Sequence, residues 1–213
     1  MRMNKKFTGV IVPAVTPLNS RLQLDEEAVE RLFGLFYQYN ISPFILGTTG
    51  ESASLPVSIK EDYVRVAGIN KKEGTVLYAG ISSNVLKESV EFAYYCADHG
   101  VDAMAVTFPS YYALTATQME KYFLMLANVV PLPLIIYNIP ATTHISIPLE
   151  LIDALSHHPN IVATKDSERS EERLAKSLAL WKDRTDFGHF LGWAAKSAEA
   201  LIGGSDGLIP STG

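Results

Sequence analysis

One amine in this chain is placed where it could become a nucleophile. Ile161-Val162-Ala163-Thr164-Lys165-Asp166-Ser167 sets Lys165 at the end of an apolar, β-prone run. Burial disfavours the charged form of an amine, so a lysine held in such surroundings loses its proton near neutral pH and can attack a ketone to form a Schiff base. The plainer alternative is a strand-end lysine whose stem packs on the strand while its ammonium stays in water. Imine chemistry also needs a proton shuttle, because carbinolamine dehydration and carbon–carbon cleavage each move a proton. Tyr137 closes the apolar run that starts at Leu134 and offers a phenol one strand away. Gly47-Thr48-Thr49-Gly50-Glu51-Ser52 combines hydroxyls with flexible backbone amides in a tight turn, a suitable cradle for a carboxylate. It lacks the Gly-Lys-Ser/Thr ending of a nucleotide-binding loop, and an ordinary Gly-rich turn is its competing reading.

Other chemistries find little support. His157 and His158 precede the Lys165 strand and so fall at its opposite end, while His99, His144 and His189 are scattered and share no ligand spacing with Cys96. No metal site is therefore expected. Asp166 alternates with Lys165 along the strand and reads as structural. No Ser-His-Asp pattern, nucleophile elbow or dinucleotide fingerprint is visible.

Composition narrows the partners. Across 213 residues, 47% hydrophobic, 18 Lys and Arg stand against 23 Asp and Glu, a net charge of -5. No basic block interleaved with aromatics appears, which argues against nucleic acid and for a small-molecule partner. Cys96 is the only cysteine, so no disulfide forms within the chain. Met1 to Lys6 ahead of Phe7 to Val12 imitates the start of a signal peptide, but Pro13 and Pro17 interrupt it and no cleavage pattern follows, so the segment reads as a first strand. No run reaches the ~18 apolar residues that span a bilayer. These features predict a cytoplasmic protein with no membrane partner.

The elements that must position the amine are regular. Apolar β-rich runs fall at residues 9–15, 44–47, 76–81, 103–108, 134–137, 161–164, 187–191 and 207–209. Amphipathic stretches lie between them at 25–39, 58–72, 85–99, 115–128 and 170–180, several with start signals at Asp25, Thr115 and Ser170. Nearly continuous apolar strands joined by crossovers of one helix predict a parallel sheet. Eight such units predict a (β/α)8 TIM barrel, with an open doubly wound sheet as the alternative. Residues 1–213 are expected to be one barrel domain, truncated after strand eight and without an eighth helix. Bare apolar surface at the last seam is then expected, covered by more chain or by another subunit. In such barrels the chemistry sits at the C-terminal ends of the strands, where Gly47 to Ser52, Tyr111, Tyr137 and Lys165 all fall.

Gly47-Thr48-Thr49-Gly50-Glu51, Tyr137-Asn138-Ile139-Pro140 and the lysine of the sixth strand resemble the dihydrodipicolinate synthase / N-acetylneuraminate lyase family. The resemblance runs over the whole chain. It implies a (β/α)8 barrel, usually tetrameric, extended by a C-terminal helical region absent here, that works without metal or organic cofactor. It implies a Schiff base between Lys165 and pyruvate, or a 2-keto acid that yields pyruvate. Tyr137 would be the acid/base and Thr48 its relay hydroxyl. Thr49 and adjacent amides, with Gly47, would hold the pyruvate carboxylate. Tyr111 would be the aromatic that reaches a neighbouring subunit's site, or Tyr112 if the register slips by one, and Gly192 and Ile209 would line the pocket.

Departures from the family pattern sort the activities. Dihydrodipicolinate synthases carry an arginine for the carboxylate of aspartate semialdehyde where this chain has Thr142. Sialic-acid lyases carry acidic residues where Gly192-Trp193 is followed by Ala194 and Ala195. The favoured expectation is a class I lyase joining or cleaving pyruvate and an aldehyde, of the 2-keto-3-deoxy sugar acid type. Thr142, Ser110, Ser167 and Ala194 would help select the aldehyde. The alternatives are 4-hydroxy-tetrahydrodipicolinate synthase, a sugar-acid dehydratase using the same lysine, and an inactive 2-keto-acid-binding fragment. A homo-oligomer, dimer or tetramer, is expected.

Overall fold

Strands that are apolar on both sides must be covered on both faces, and closing the sheet on itself supplies one of those covers. A computed structural model describes residues 5–211, so Met1 to Asn4 of the leader-like start and the last two residues, Thr212 and Gly213, lie outside it. Eight strands, Gly9–Pro13 (β1), Ser42–Ile45 (β2), Tyr78–Gly80 (β3), Ala103–Val106 (β4), Leu134–Asn138 (β5), Ile161–Asp166 (β6), Gly188–Leu191 (β7) and Gly207–Leu208 (β8), pair in chain order. All pairs are parallel, and β8 pairs with β1 to close the barrel. The open-sheet alternative is excluded.

Helices Glu26–Gln38 (α1), Val57–Ile69 (α2), Leu86–Asp98 (α3) and Ala116–Ala127 (α4) fill the first four crossovers. Pro140–Thr143 (α5) and Leu149–Leu155 (α6) share the fifth, Glu171–Trp181 (α7) takes the sixth, and Ser197–Gly203 (α8) the seventh. Asp25, Thr115 and Ser170 cap α1, α4 and α7 by accepting from backbone N–H groups, and Thr115 with Gln118 forms a full capping box. The sequence reading named neither α5, α6 nor α8, because helices of four to seven residues show too few turns for a period to emerge. Among the described residues no helix follows β8, and Val10 on the neighbouring β1 is 45% exposed.

The strands alternate between two cores. Phe7, Ile11, Phe44, Tyr78, Ile135, Phe190 and Ile209 pack inside the barrel against Ala103, Ala105 and Ala163. The alanines leave room for the rings, so large and small side chains interdigitate. Intervening residues such as Val12, Ile45, Met104 and Ile136 face the helices, where Phe33, Tyr63, Phe123 and Trp181 cover them. Each buried large side chain contributes roughly 1.5–3 kcal/mol. Closure itself depends on one residue type: a Cβ on Gly207 would run into the backbone of Gly9, its partner on β1.

His189 sits between these layers, 1% exposed, with Nε2 3.2 Å from the Ser177 hydroxyl and Nδ1 3.1 Å from that of Ser205. Burial pushes its pKa down to about 4, against the pull of Asp206 and with smaller contributions from Arg173 and Lys5. A histidine lowered on folding binds fewer protons than in the unfolded chain, so its contribution is complete above about pH 6.5 and is lost as pH falls toward 4. Thermal melts should therefore show stability dropping by about 3 kcal/mol across that window. His189→Gln should flatten the drop, and an equally steep acid limb in the variant would remove His189 as its cause.

Candidate active site

Strand register sets the candidate pair. Tyr137 on β5 lies directly opposite Lys165 on β6, and Asn138 opposite Asp166. Alternation sends Tyr137 and Lys165 inward, above Ile135 and Ala163, and sends Asn138 and Asp166 outward. Strand β6 runs two residues beyond the predicted 161–164, so Lys165 stands inside the ladder rather than at its end, paired on its other side with Phe190 of β7. The plain reading of a solvated strand-end lysine is thereby excluded: Lys165 is 3% exposed.

Its amine lies 4.0 Å from the centre of the Tyr137 ring and 4.8 Å from that of Phe44, and forms no ion pair among the described residues. Burial alone lowers its pKa to about 7. At neutral pH a large share of this lysine is therefore the free amine that nucleophilic attack requires. Burial also raises Tyr137 above an ordinary phenol, while the hydroxyls of Thr48 and Ser167 pull it back down. The Thr48 Oγ1 is 3.4 Å from the Tyr137 hydroxyl, which puts the loop after β2 in contact with the phenol.

A cavity of about 540 Å³ opens above this pair. Gly47, Thr48, Tyr137 and Thr142, all expected at the site, line it; Lys165 does not, but its amine packs against Phe44 and Tyr137, which do. Thr49 is half-buried in the same β2 loop but does not line the cavity. Ser167 donates its backbone N–H to the Asn138 carbonyl, and Gly192 donates to the Asp166 carbonyl at 2.7 Å. A Cβ on Gly192 would collide with Ser167, so glycine there brings β7 against the end of β6. Ile209, 2% exposed, belongs to the barrel interior, and its N–H donates to the Leu191 carbonyl at 2.9 Å. Tyr111 is 78% exposed, stacked edge-on against Tyr112, with its backbone N–H held by Asn84. The structure thus gathers Lys165, Tyr137 and Thr48 tightly, places Ser167, Gly192 and Ile209 on the adjoining strand ends, and leaves Tyr111 at the surface.

The sequence reading missed several side chains. Phe44 and Phe190, which desolvate the amine, look in sequence like any core aromatic. Ser82, Ser83 and Asn84, after β3, line the cavity with Glu51, Lys60 and Glu88, and carry no motif. Asn138 stands inside the quoted Tyr-Asn-Ile-Pro motif, and its outward contacts with Asp166 and Glu168, both at 3.0 Å, are visible only once the register is known.

A closed parallel barrel with a desolvated amine and a phenol in register at the strand ends defines a class: a (β/α)8 protein equipped for imine chemistry. Residues 6–213 match the Dihydrodipicolinate synthetase family, and the chain belongs to that family, whose members are pyruvate-dependent lyases. An uncharacterized DapA-like lyase of Thermofilum pendens is 32% identical over 97% of this chain and 70% of its own length. The dihydrodipicolinate synthase of Bacteroides thetaiotaomicron superposes with a TM-score of 0.91 at 30% identity, covering 98% of this chain and 70% of that one. YagE, a prophage protein of the dihydrodipicolinic acid synthase family from E. coli K12 solved in complex with pyruvate, gives a TM-score of 0.91 at 26% identity over 96% and 70%. The chain spans between 56% and 70% of the length of the curated relatives it matches.

A buried amine weakens the fold it serves. Because the Lys165 pKa is lowered on folding, the unfolded chain binds more protons between about pH 7 and 10.5, and stability must rise with pH through that window. Urea unfolding should show Lys165→Met more stable than the parent at pH 7, with the gap narrowing by about 3 kcal/mol on going to pH ~9.5. A gap that stays constant with pH would mean that the Lys165 amine is charged in the folded protein.

Proposed function

We propose that this protein is a class I lyase that cleaves a 2-keto acid into pyruvate and an aldehyde, or joins them, with 2-keto-3-deoxy sugar acids as the favoured substrate class. The observation that carries the reading is the register pair: a lysine amine near neutrality facing a buried tyrosine across one strand gap, with the Thr48 hydroxyl on that tyrosine. In the cleavage direction the Lys165 amine attacks the C2 carbonyl, and the carbinolamine hydroxyl leaves as water after taking a proton from Tyr137. The resulting phenolate then removes the proton of the C4 hydroxyl. The C3–C4 bond breaks, its electron pair moves into the iminium as an enamine, and the aldehyde departs. Protonation at C3 and hydrolysis of the imine release pyruvate and restore the amine. A raised tyrosine pKa suits this cycle, since the phenolate formed in the first step is a strong base in the second.

The lining of the cavity supports this substrate class. Its lining is rich in hydroxyl and amide groups, among them Ser82, Asn84, Thr107, Ser110 and Thr142, and contains no arginine among the described residues. Hydroxyls of a sugar acid find partners in such a wall, whereas a second carboxylate is best held by a bidentate arginine. The lining cation, Lys60, is half-buried, and burial lowers its pKa against the pull of Glu88. Synthase activity on aspartate semialdehyde is the second reading, favoured by the 30% identity to the Bacteroides thetaiotaomicron synthase.

Three experiments test the proposal. Borohydride reduction in the presence of pyruvate should add a stable mass to Lys165 in the parent and none in Lys165→Met; an unmodified Lys165 in folded protein overturns the Schiff-base reading. Pyruvate release across a panel of 2-keto-3-deoxy acids should exceed condensation with aspartate semialdehyde, and the reverse order would select the second reading. Tyr137→Phe should lower kcat on the best substrate by about 10²–10⁴-fold, while wild-type kcat in that variant would remove Tyr137 as the shuttle.

A further inference from the structure

Behind the reacting pair, on the outer side of β5 and β6, lies an ionic cluster that the proposed reaction does not use. The Arg173 Nε donates to Asp166 Oδ2 at 2.6 Å and lies 3.4 Å from Glu168 Oε2. Asp166 Oδ1 accepts from Asn138 Nδ2 at 3.0 Å and from the Glu168 backbone N–H at 3.0 Å. Asn138 in turn accepts from the backbone N–H of Ile147 at 3.0 Å, which ties the segment carrying Thr142 to the same node. Each of these side chains is one residue from, or directly bonded to, a neighbour of Tyr137 or Lys165. The arginine is 11% exposed, and among the described residues its Nη2 is buried with no partner.

We propose that Arg173 is a positioning residue for Lys165: it holds Asp166 against Asn138, locking β6 to β5 where Tyr137 faces the amine, and it offsets one of the two carboxylate charges behind that amine. The inference rests on the Schiff-base reading of Lys165. Inside the barrel the groups facing the amine are Tyr137 from β5, Phe44 from β2 and Phe190 from β7, with Tyr78 of β3 as the other titratable member of that core. On the cavity side the charged groups are Glu51, Lys60 and Glu88. Outside β6 they are Asp166, Glu168 and Arg173, with His189 beside Thr164 on β7. Only the outer cluster lies immediately behind Lys165 on its own strand. With Arg173 in place the cluster carries one net negative charge and burial dominates the amine; without it the net charge doubles, favours the ammonium and withdraws the nucleophile at neutral pH.

Competitive acetylation read by mass spectrometry at Lys165, from about pH 6 to 10, measures this without requiring turnover. Arg173→Met should move the half-reaction pH upward by about one unit, and pyruvate–borohydride labelling at pH 7 should slow about fivefold while pyruvate affinity stays within about twofold. Asp166→Asn combined with Arg173→Met restores the net charge of the cluster and should return the acetylation profile to that of the parent, a rescue that a purely structural role would not give. Arg173→Lys keeps the charge but loses the fork, so its profile should stay put while labelling slows. A parental profile in folded Arg173→Met overturns the proposal. If that variant does not fold, Glu168→Gln serves in its place: its half-reaction pH should fall, and an unmoved profile overturns the proposal equally. Failure of wild-type protein to label with pyruvate would instead sink the Schiff-base reading, and the acetylation profile still decides the role of Arg173.

Discussion

Desolvation of one amine is the constraint around which this barrel is organised. Lys165 is buried inside a closed sheet, against the rings of Phe44 and Tyr137 and beside Phe190, and that burial brings its pKa to about 7. A buried group this far from its ordinary value destabilises the fold, and such a cost is tolerable only where the surrounding core is large. The two concentric cores supply that reserve, one of rings and alanines inside the barrel and one between strands and helices. The same inner layer does two jobs: its rings close the barrel interior and exclude water from the amine.

Strand alternation then separates two kinds of electrostatics within one residue spacing. Lys165 and Tyr137 point into a space whose nearest walls are aromatic, while Asp166 and Asn138, their chain neighbours, point into a hydrogen-bonded ionic node with Arg173 and Glu168. On the outer face Asp166 and Glu168 share one arginine and further hydrogen bonds. The inner face is free of ion pairs at the amine among the described residues, which keeps the neutral form accessible. A one-residue slip of β6 against β5 would exchange these two faces and place a carboxylate inside the barrel. The hydrogen bonds from Asn138 to Asp166 and from Gly192 to the Asp166 carbonyl pin that register at the end of β6 where it matters.

Much of this is legible in the sequence because the barrel is built from repeated apolar runs, and each of the eight predicted strands overlaps an observed one. Caps at Asp25, Thr115 and Ser170 are readable for the same reason: their chemistry is local. Boundaries are less so. The predicted β6 stops at Thr164, since Lys165 and Asp166 look like the polar end of a strand; their place in the ladder depends on pairing with Tyr137 and Asn138, which hydrophobicity does not encode. The predicted β2 run falls two residues late because Leu46, apolar and buried, adopts a left-handed backbone that ends the strand. Within the site, the lysine and tyrosine announce themselves by type and position. The phenylalanines that desolvate the lysine, and the arginine behind it, act through contacts between segments far apart in the chain.

The cavity separates what the chemistry requires from what it leaves open. In the proposed reaction imine formation draws on the amine, the phenol and its Thr48 partner, and these are fixed by strands and by one short loop. The walls, to which the same reading gives selection of the aldehyde, are built largely from the loops after β2, β3 and β4 and from Thr142 and Thr143 of α5. Loop residues can change without disturbing the ladder that holds Lys165 against Tyr137, so a family sharing this base can differ in substrate while keeping its first steps. Under the proposed reading, walls that present hydroxyls and no arginine among the described residues suit a hydroxylated aldehyde better than an acidic one, because a second carboxylate is best held by a bidentate arginine.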